Sequence, residues 1–135
     1  MSPQNSNIPP KLITDLSTFP ELDLTTLEKI LNLTFTKTDN QNKHFDFFFD
    51  TKNNVELRID KNNTRRKILI FEIDPSENIS EETVMNDYPT TEPTVHSPND
   101  PTWKSLVLSE LWGKISFGFN RDGVLTSLVF DSTKL

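Results

Sequence analysis

Four carboxylates crowd one short stretch of this chain: Asp46, Asp50, Glu56 and Asp60. Read as two strands joined by the turn 51–54, they can share the outer face of a sheet. Carboxylates grouped in that way can hold a hard cation or act as an acid–base pair. Arg58 lies among them, however, and no calcium-loop spacing occurs. The set is therefore read as a polar, solvated sheet face with cross-strand pairs, suited to meeting a partner. The histidines add little: His44 stands beside a strand and His96 in a proline-rich stretch, each alone. No Gly-x-Ser-x-Gly elbow is present, and Gly113, Gly118 and Gly123 are not grouped as a phosphate-cradling loop requires. Without cysteine there is no disulfide and no thiolate chemistry. The expectation is a protein with no catalytic residue, no metal and no cofactor.

Residues suited to binding are easier to find. Tyr88 and Trp103 flank a long connection, and Trp112 sits at a turn. Aromatic rings with a polar handle are enriched at interface hot spots, although such rings also lock loops onto a core. Phe48 falls on the polar side of its strand while Phe45, Phe47 and Phe49 take the inward side. The candidate partner-binding set is Asp46, Phe48, Asp50 and Arg58 on the sheet face, with Asp87, Tyr88, Glu92, Asp100, Trp103 and Trp112 around the connection.

Charge supports this assignment. The 135 residues carry a net charge of −6, unevenly placed. No Lys or Arg occurs between Lys67 and Lys104, a stretch that holds Glu72, Asp74, Glu77, Glu81, Glu82, Asp87, Glu92 and Asp100. An acidic surface repels phosphate backbones, so nucleic acid is not an expected partner. It attracts a basic protein. No apolar run reaches the roughly 18 residues of a membrane span, and the start MSPQNSNIPP lacks a signal-peptide pattern. The expected location is the cytoplasm, with no membrane partner.

The elements that must position these residues are marked by periodicity and punctuation. One domain is expected over residues 1–135, with residues 1–10 a flexible arm. Lys11 to Phe19 can form one or two helical turns before Pro20. A helix is predicted from about Thr25 to Leu33, capped by Thr25 with Glu28 or by Asp23 with a Leu22–Leu27 staple. Strands follow at Phe45–Asp50, Val55–Asp60 and Lys67–Ile73, and Phe35 can begin a short extra one. The nearly all-apolar Ile68–Ile73 reads as buried on both faces. A second helix runs from Ser80 to Tyr88. Residues 89–101, with four prolines, read as an extended loop. Trp103–Leu111, Ile115–Asn120 and Leu125–Asp131 complete the strands. Asp122-Gly123 signals a tight hairpin. Gly118 marks a bulge or the close approach of a helix, and the second reading is preferred.

The two halves echo one another. Residues 22–73 and 77–131 each read as α-β-β-β, offset by 55 to 60 residues. The fold class is α+β: two tandem α-β-β-β units forming antiparallel sheet, with helices packed on one face. The helix ISEETVMNDY, the strand WKSLVLSEL and the hairpin GKISFGFNRDGVLTSLVF carry a resemblance. In tandem the units resemble the beta-lactamase inhibitor protein family. The second half alone is similar to the small lipoprotein of the outer-membrane barrel assembly machinery. Lacking cysteines and a lipobox, this acidic chain is also similar to bacterial immunity proteins. The resemblance implies a non-catalytic protein-binding domain, an immunity protein or inhibitor that occludes the active site of a cognate toxin or enzyme with a basic cleft. The alternative is a structural or adaptor module of a larger assembly.

Overall fold

The computed structural model describes residues 8–38, 42–50, 52–97 and 100–135. Among these residues three α-helices accompany an antiparallel eight-stranded sheet, an α+β fold. In chain order the elements are α1 (Ile8–Asp15), α2 (Leu24–Leu31), β1 (Thr36–Thr38), β2 (Phe45–Asp50), β3 (Val55–Asp60), β4 (Lys67–Glu72), α3 (Glu81–Asp87), β5 (Glu92–Ser97), β6 (Asp100–Glu110), β7 (Gly113–Phe119) and β8 (Leu125–Asp131). The sheet order is β1-β2-β3-β4-β8-β7-β6-β5. Each half therefore supplies a four-stranded meander, and the last strands of the two, β4 and β8, pair at the centre.

Each half holds one strand more than the three predicted. β1 begins at the residue after Phe35. β5 replaces most of the expected loop, and its prolines explain how. Pro93 lacks an N–H to give to a ladder, which excludes it from a central strand and leaves an edge strand open to it. β5 is an edge strand, and among the described residues it pairs with β6 alone. The expected arm is also shortened. Residues 8–10 belong to α1, whose Pro9 and Pro10 occupy the first turn, where no intrahelical N–H bond is lost. Residues 1–7 lie outside the described residues.

Local chemistry sets the helix ends. Asp23, the second of the two predicted caps, takes the N–H of Thr26 at 2.8 Å and starts α2. Glu28 does not close a capping box with Thr25. Its carboxylate accepts the Phe35 N–H at 2.8 Å and ties the helix to the start of β1. Asn32, at φ 54°, ends α2 in the left-handed conformation that asparagine tolerates. Ser80 caps α3 as expected, accepting from the Thr83 N–H at 3.1 Å. The Asp122-Gly123 hairpin also forms. Gly123 has φ 77°, and the Asn120 side chain accepts from the Asp122 and Val124 N–H groups. Gly118 is explained by its cross-strand partner and not by a helix. A Cβ there would lie 2.2 Å from Ser127 Oγ, and the ladder shifts register between Gly118 and Phe119. The bulge reading holds.

The core is one cluster that crosses both halves. Register makes its geometry explicit. Phe48, Leu57, Leu69, Phe130, Ile115 and Leu108 face one another in sequence across six strands. A parallel row runs Asp50, Val55, Phe71, Leu128, Phe117 and Leu106. Directly opposed residues point to the same side of a sheet, so these rows define a core face. Phe19, from the 3₁₀ turn Phe19–Glu21, meets Phe130 at 5.8 Å between ring centroids, and Tyr88 stacks on Phe117 at 5.8 Å.

Candidate partner-binding surface

The core rows correct the orientation of β2. Phe48, expected outward, stands opposite Leu57 and packs against the core. Asp46 and Asp50 share its side. Phe45, Phe47 and Phe49, expected inward, stand opposite Asp60, Arg58 and Glu56 on the second face. The turn decides this. Asp50 pairs with Val55, so every residue of β2 takes its side from that register, and a one-residue slip would reverse them all. Burying Asp50 is tolerable because its carboxylate is occupied. It accepts the Thr34 N–H at 3.1 Å and the Asn53 N–H at 3.0 Å. Burial pushes this carboxyl up, but the N–H groups of Thr34 and Asn53 outweigh it and hold the carboxyl below the ordinary range.

The predicted site residues therefore separate. Asp46 lies near Lys37 Nζ at 3.5 Å and Lys61 Nζ at 4.0 Å, a half-exposed ion-pair group near the β1 edge. Phe48 and Asp50 are structural. Arg58 alone of the sheet set reaches the second face, where its guanidinium lies 4.9 Å from the Phe47 ring centroid and pairs with Glu56. Tyr88 and Trp112 take the packing role. Tyr88 stacks on Phe117, where burial and then the Asp87 charge push its hydroxyl pKa up, and Trp112 meets Phe19 at 5.4 Å. Asp87 and Glu92 are exposed, on the last turn of α3 and on β5. Asp100 and Trp103 lie on the backbone of β6.

Several surface residues escaped the sequence reading. The second face carries Phe45, Phe47 and Phe49 on β2, Ile68 and Ile70 on β4, and Val129 on β8. All six are half-buried, and none belongs to the core cluster or packs against it. The signal was present in β4. The apolar run Ile68–Phe71 supplies both faces, and the outward half of it, Ile68 and Ile70, needs neighbours of its own kind.

A buried lysine was also missed. Lys67 is 2% exposed and stands opposite Ile59 on the core face. Its Nζ donates to the Pro20 carbonyl at 2.7 Å and the Thr64 carbonyl at 2.8 Å, 5.6 Å from the Phe19 ring centroid. Burial lowers its pKa to about 8, partly offset by Glu21 and, more weakly, Asp23, while Arg65 lowers it further. The two carbonyl bonds anchor the Phe19–Glu21 turn to the sheet.

The acidic stretch runs from the end of β4 to β5, with Glu72 and Glu92 on the second face of the sheet. Glu72, Asp74, Glu82, Asp87 and Glu92 are exposed along the end of β4, the following turn, α3 and β5. None of them is in an ion pair among the described residues. A cleft of about 540 Å³ opens elsewhere, between α1, α2 and the ends of β3 and β4. Leu12, Ile30, Leu31 and Phe71 line it, with the Lys11–Asp15 ion pair at its rim. Among the described residues no three His, Asp or Glu side chains converge as metal ligands would. No described helix is long and apolar enough to cross a membrane. Comparison with known proteins gives no match to a family model, to a curated protein or to a solved structure.

Proposed function

We propose that this chain is a non-catalytic protein-binding domain, an immunity protein or inhibitor that neutralises a bacterial toxin by occluding its active site in the cytoplasm. The observation that supports this reading most is the acidic surface from Glu72 to Glu92. Glu72, Asp74, Glu82, Asp87 and Glu92 are exposed and in no ion pair among the described residues, and their segment holds no compensating Lys or Arg. Charges left unpaired contribute little to a fold, but they steer a partner of opposite sign and speed its encounter. The partner is then a protein with a basic cleft. In this reading the two halves are tandem α-β units sharing one sheet, with their helices on the core face. The echo between residues 22–73 and 77–131, extended to four strands each, supports it. Asp87 and Glu92 are the residues best placed to lead.

The test is association kinetics with the protein encoded beside it. Asp87→Lys and Glu92→Lys should each slow association by roughly 3- to 10-fold at low salt, with the difference shrinking as salt rises. An on-rate unchanged by both substitutions would remove this surface from the interface. One-to-one binding without inhibition of any activity would favour an adaptor instead.

A further inference from the structure

Four half-buried side chains, Leu12, Ile30, Leu31 and Leu33, line the cleft of about 540 Å³ between α1, α2 and the ends of β3 and β4. Phe71 and Ile73, both buried, complete its apolar lining. The volume lies within the roughly 300–1,000 Å³ of pockets that take a ligand. At the rim Lys11 and Asp15 pair at 2.7 Å and cancel one another's charge.

A second cleft, of about 610 Å³, shares Asn53 and Ile73 with the first. Glu72, Asp74 and Glu77 line it together with one cation, Lys52. None of these four is in an ion pair among the described residues. Oε2 of Glu77 is buried and meets no hydrogen-bond donor among them. A cation nearby stabilises a carboxylate in that state. An apolar cleft and an excess of negative charge thus lie side by side, next to the β2–β3 turn.

Charge selects the occupant. A second copy of this chain carries −6 and would bring more negative charge to Glu72, Asp74 and Glu77. Nucleic acid and anionic lipid are disfavoured for the same reason. The chain's own residues 1–7, MSPQNSN, offer one methionine and no Lys or Arg. We propose that the apolar cleft receives an anchor segment of the basic protein partner, in which large apolar side chains stand next to Lys or Arg. The apolar side chains enter between α1 and α2, and the basic ones face Glu72, Asp74 and Glu77. An apolar anchor held in a pocket sets the off-rate, while the charges beside it set the on-rate. This deepens the toxin-binding reading and rests on it for the partner, but the chemistry of the cleft is testable without that partner.

The probe is the capped peptide Lys-Leu-Leu-Lys, titrated into the intact chain and followed by two-dimensional amide NMR. At low salt it should shift the signals of Ile30, Leu31, Asn53 and Ile73 saturably. Glu-Leu-Leu-Glu should bind at least about 10-fold more weakly, and Lys-Ser-Ser-Lys should not saturate. Leu12→Gln and Leu31→Gln should each weaken the first peptide by about 10-fold or more, and Glu82→Gln on α3 should leave it unchanged. Circular dichroism checks that the variants are folded, and Leu12→Gln keeps the test open if Leu31→Gln unfolds. The proposal is overturned by the absence of a saturable shift up to about 10 mM peptide, or by equal binding of the acidic peptide. Unchanged affinity in the folded glutamine variants also overturns it. So do nuclear Overhauser contacts from residues 1–7 to the Leu31 methyl groups, which would give the cleft to the chain itself. These results leave the kinetics of Asp87→Lys and Glu92→Lys untouched, so the cleft can fail while the toxin-binding reading stands.

Discussion

The two faces of one sheet use the same strands for different ends. Leu57 and Arg58 are neighbours on β3. Leu57 is fully buried in a row of five other large side chains. Arg58 lies half-exposed on the Phe47 ring. Ile68 and Leu69 divide β4 the same way. The core face fixes the fold, because its side chains interlock with Phe19, Leu27 and Val84 from outside the sheet. The second face contributes less to stability and remains available. The six half-buried residues on the other side stand outside the core cluster.

Mutation should separate the faces most sharply in the core rows. Leu57→Ala and Phe130→Ala, both at positions with no exposure, should each cost about 3–5 kcal/mol by urea unfolding. Ile70→Ala, on the second face, should cost about 1 kcal/mol. Comparable costs on both faces would mean that the second face is also packed.

Lys67 makes the core face sensitive to pH. Its folded pKa, about 8, lies below the ordinary lysine value of 10.5. Between those values the unfolded chain binds the proton that the folded chain has released. Stability therefore rises with pH across that window, by up to about 3 kcal/mol. Tyr88 acts in the opposite sense above pH 10, because its raised pKa keeps a proton in the folded state that the unfolded state loses. Urea titrations from pH 7.5 to 10 should show the rise in the wild type and a flat profile in Lys67→Met. A rise that persists in the variant would assign it to another group.

A smaller effect is expected at the hairpin. Gly123 has φ 77°, and a Cβ there would touch nothing within 4 Å. Gly123→Val should cost about 1–2 kcal/mol through backbone strain alone. Wild-type stability would show that the turn relaxes.

Much of this was legible in the sequence. β2, β3 and β8 fall at the predicted residues, as do the Ser80 cap and the Asp122-Gly123 turn. These signals are local: alternation, a capping hydroxyl, a glycine that needs positive φ. What escaped depends on partners distant in sequence. β5 was hidden because proline argues against a strand until its place at the edge is known. The side taken by Phe45, Phe47 and Phe49 depends on how Asp50 meets Val55 across a turn. Three phenylalanines in alternation look like a core face, and an aspartate looks like a solvent face. Asp50 turns inward because the Thr34 and Asn53 N–H groups receive it, and nothing in the FDFFFD run itself shows those donors. Of the sheet-face candidates only Arg58 lies on the second face.

The orientation of β2 is the point on which the comparison of faces stands or falls. Phe48, Phe47 and Phe49 can each be changed to alanine and unfolded in urea. Phe48→Ala should be the costliest by at least about 1 kcal/mol, because only its ring packs into the core. If Phe47→Ala and Phe49→Ala cost more than Phe48→Ala, the strand faces the other way and the division between a core face and an available face is wrong.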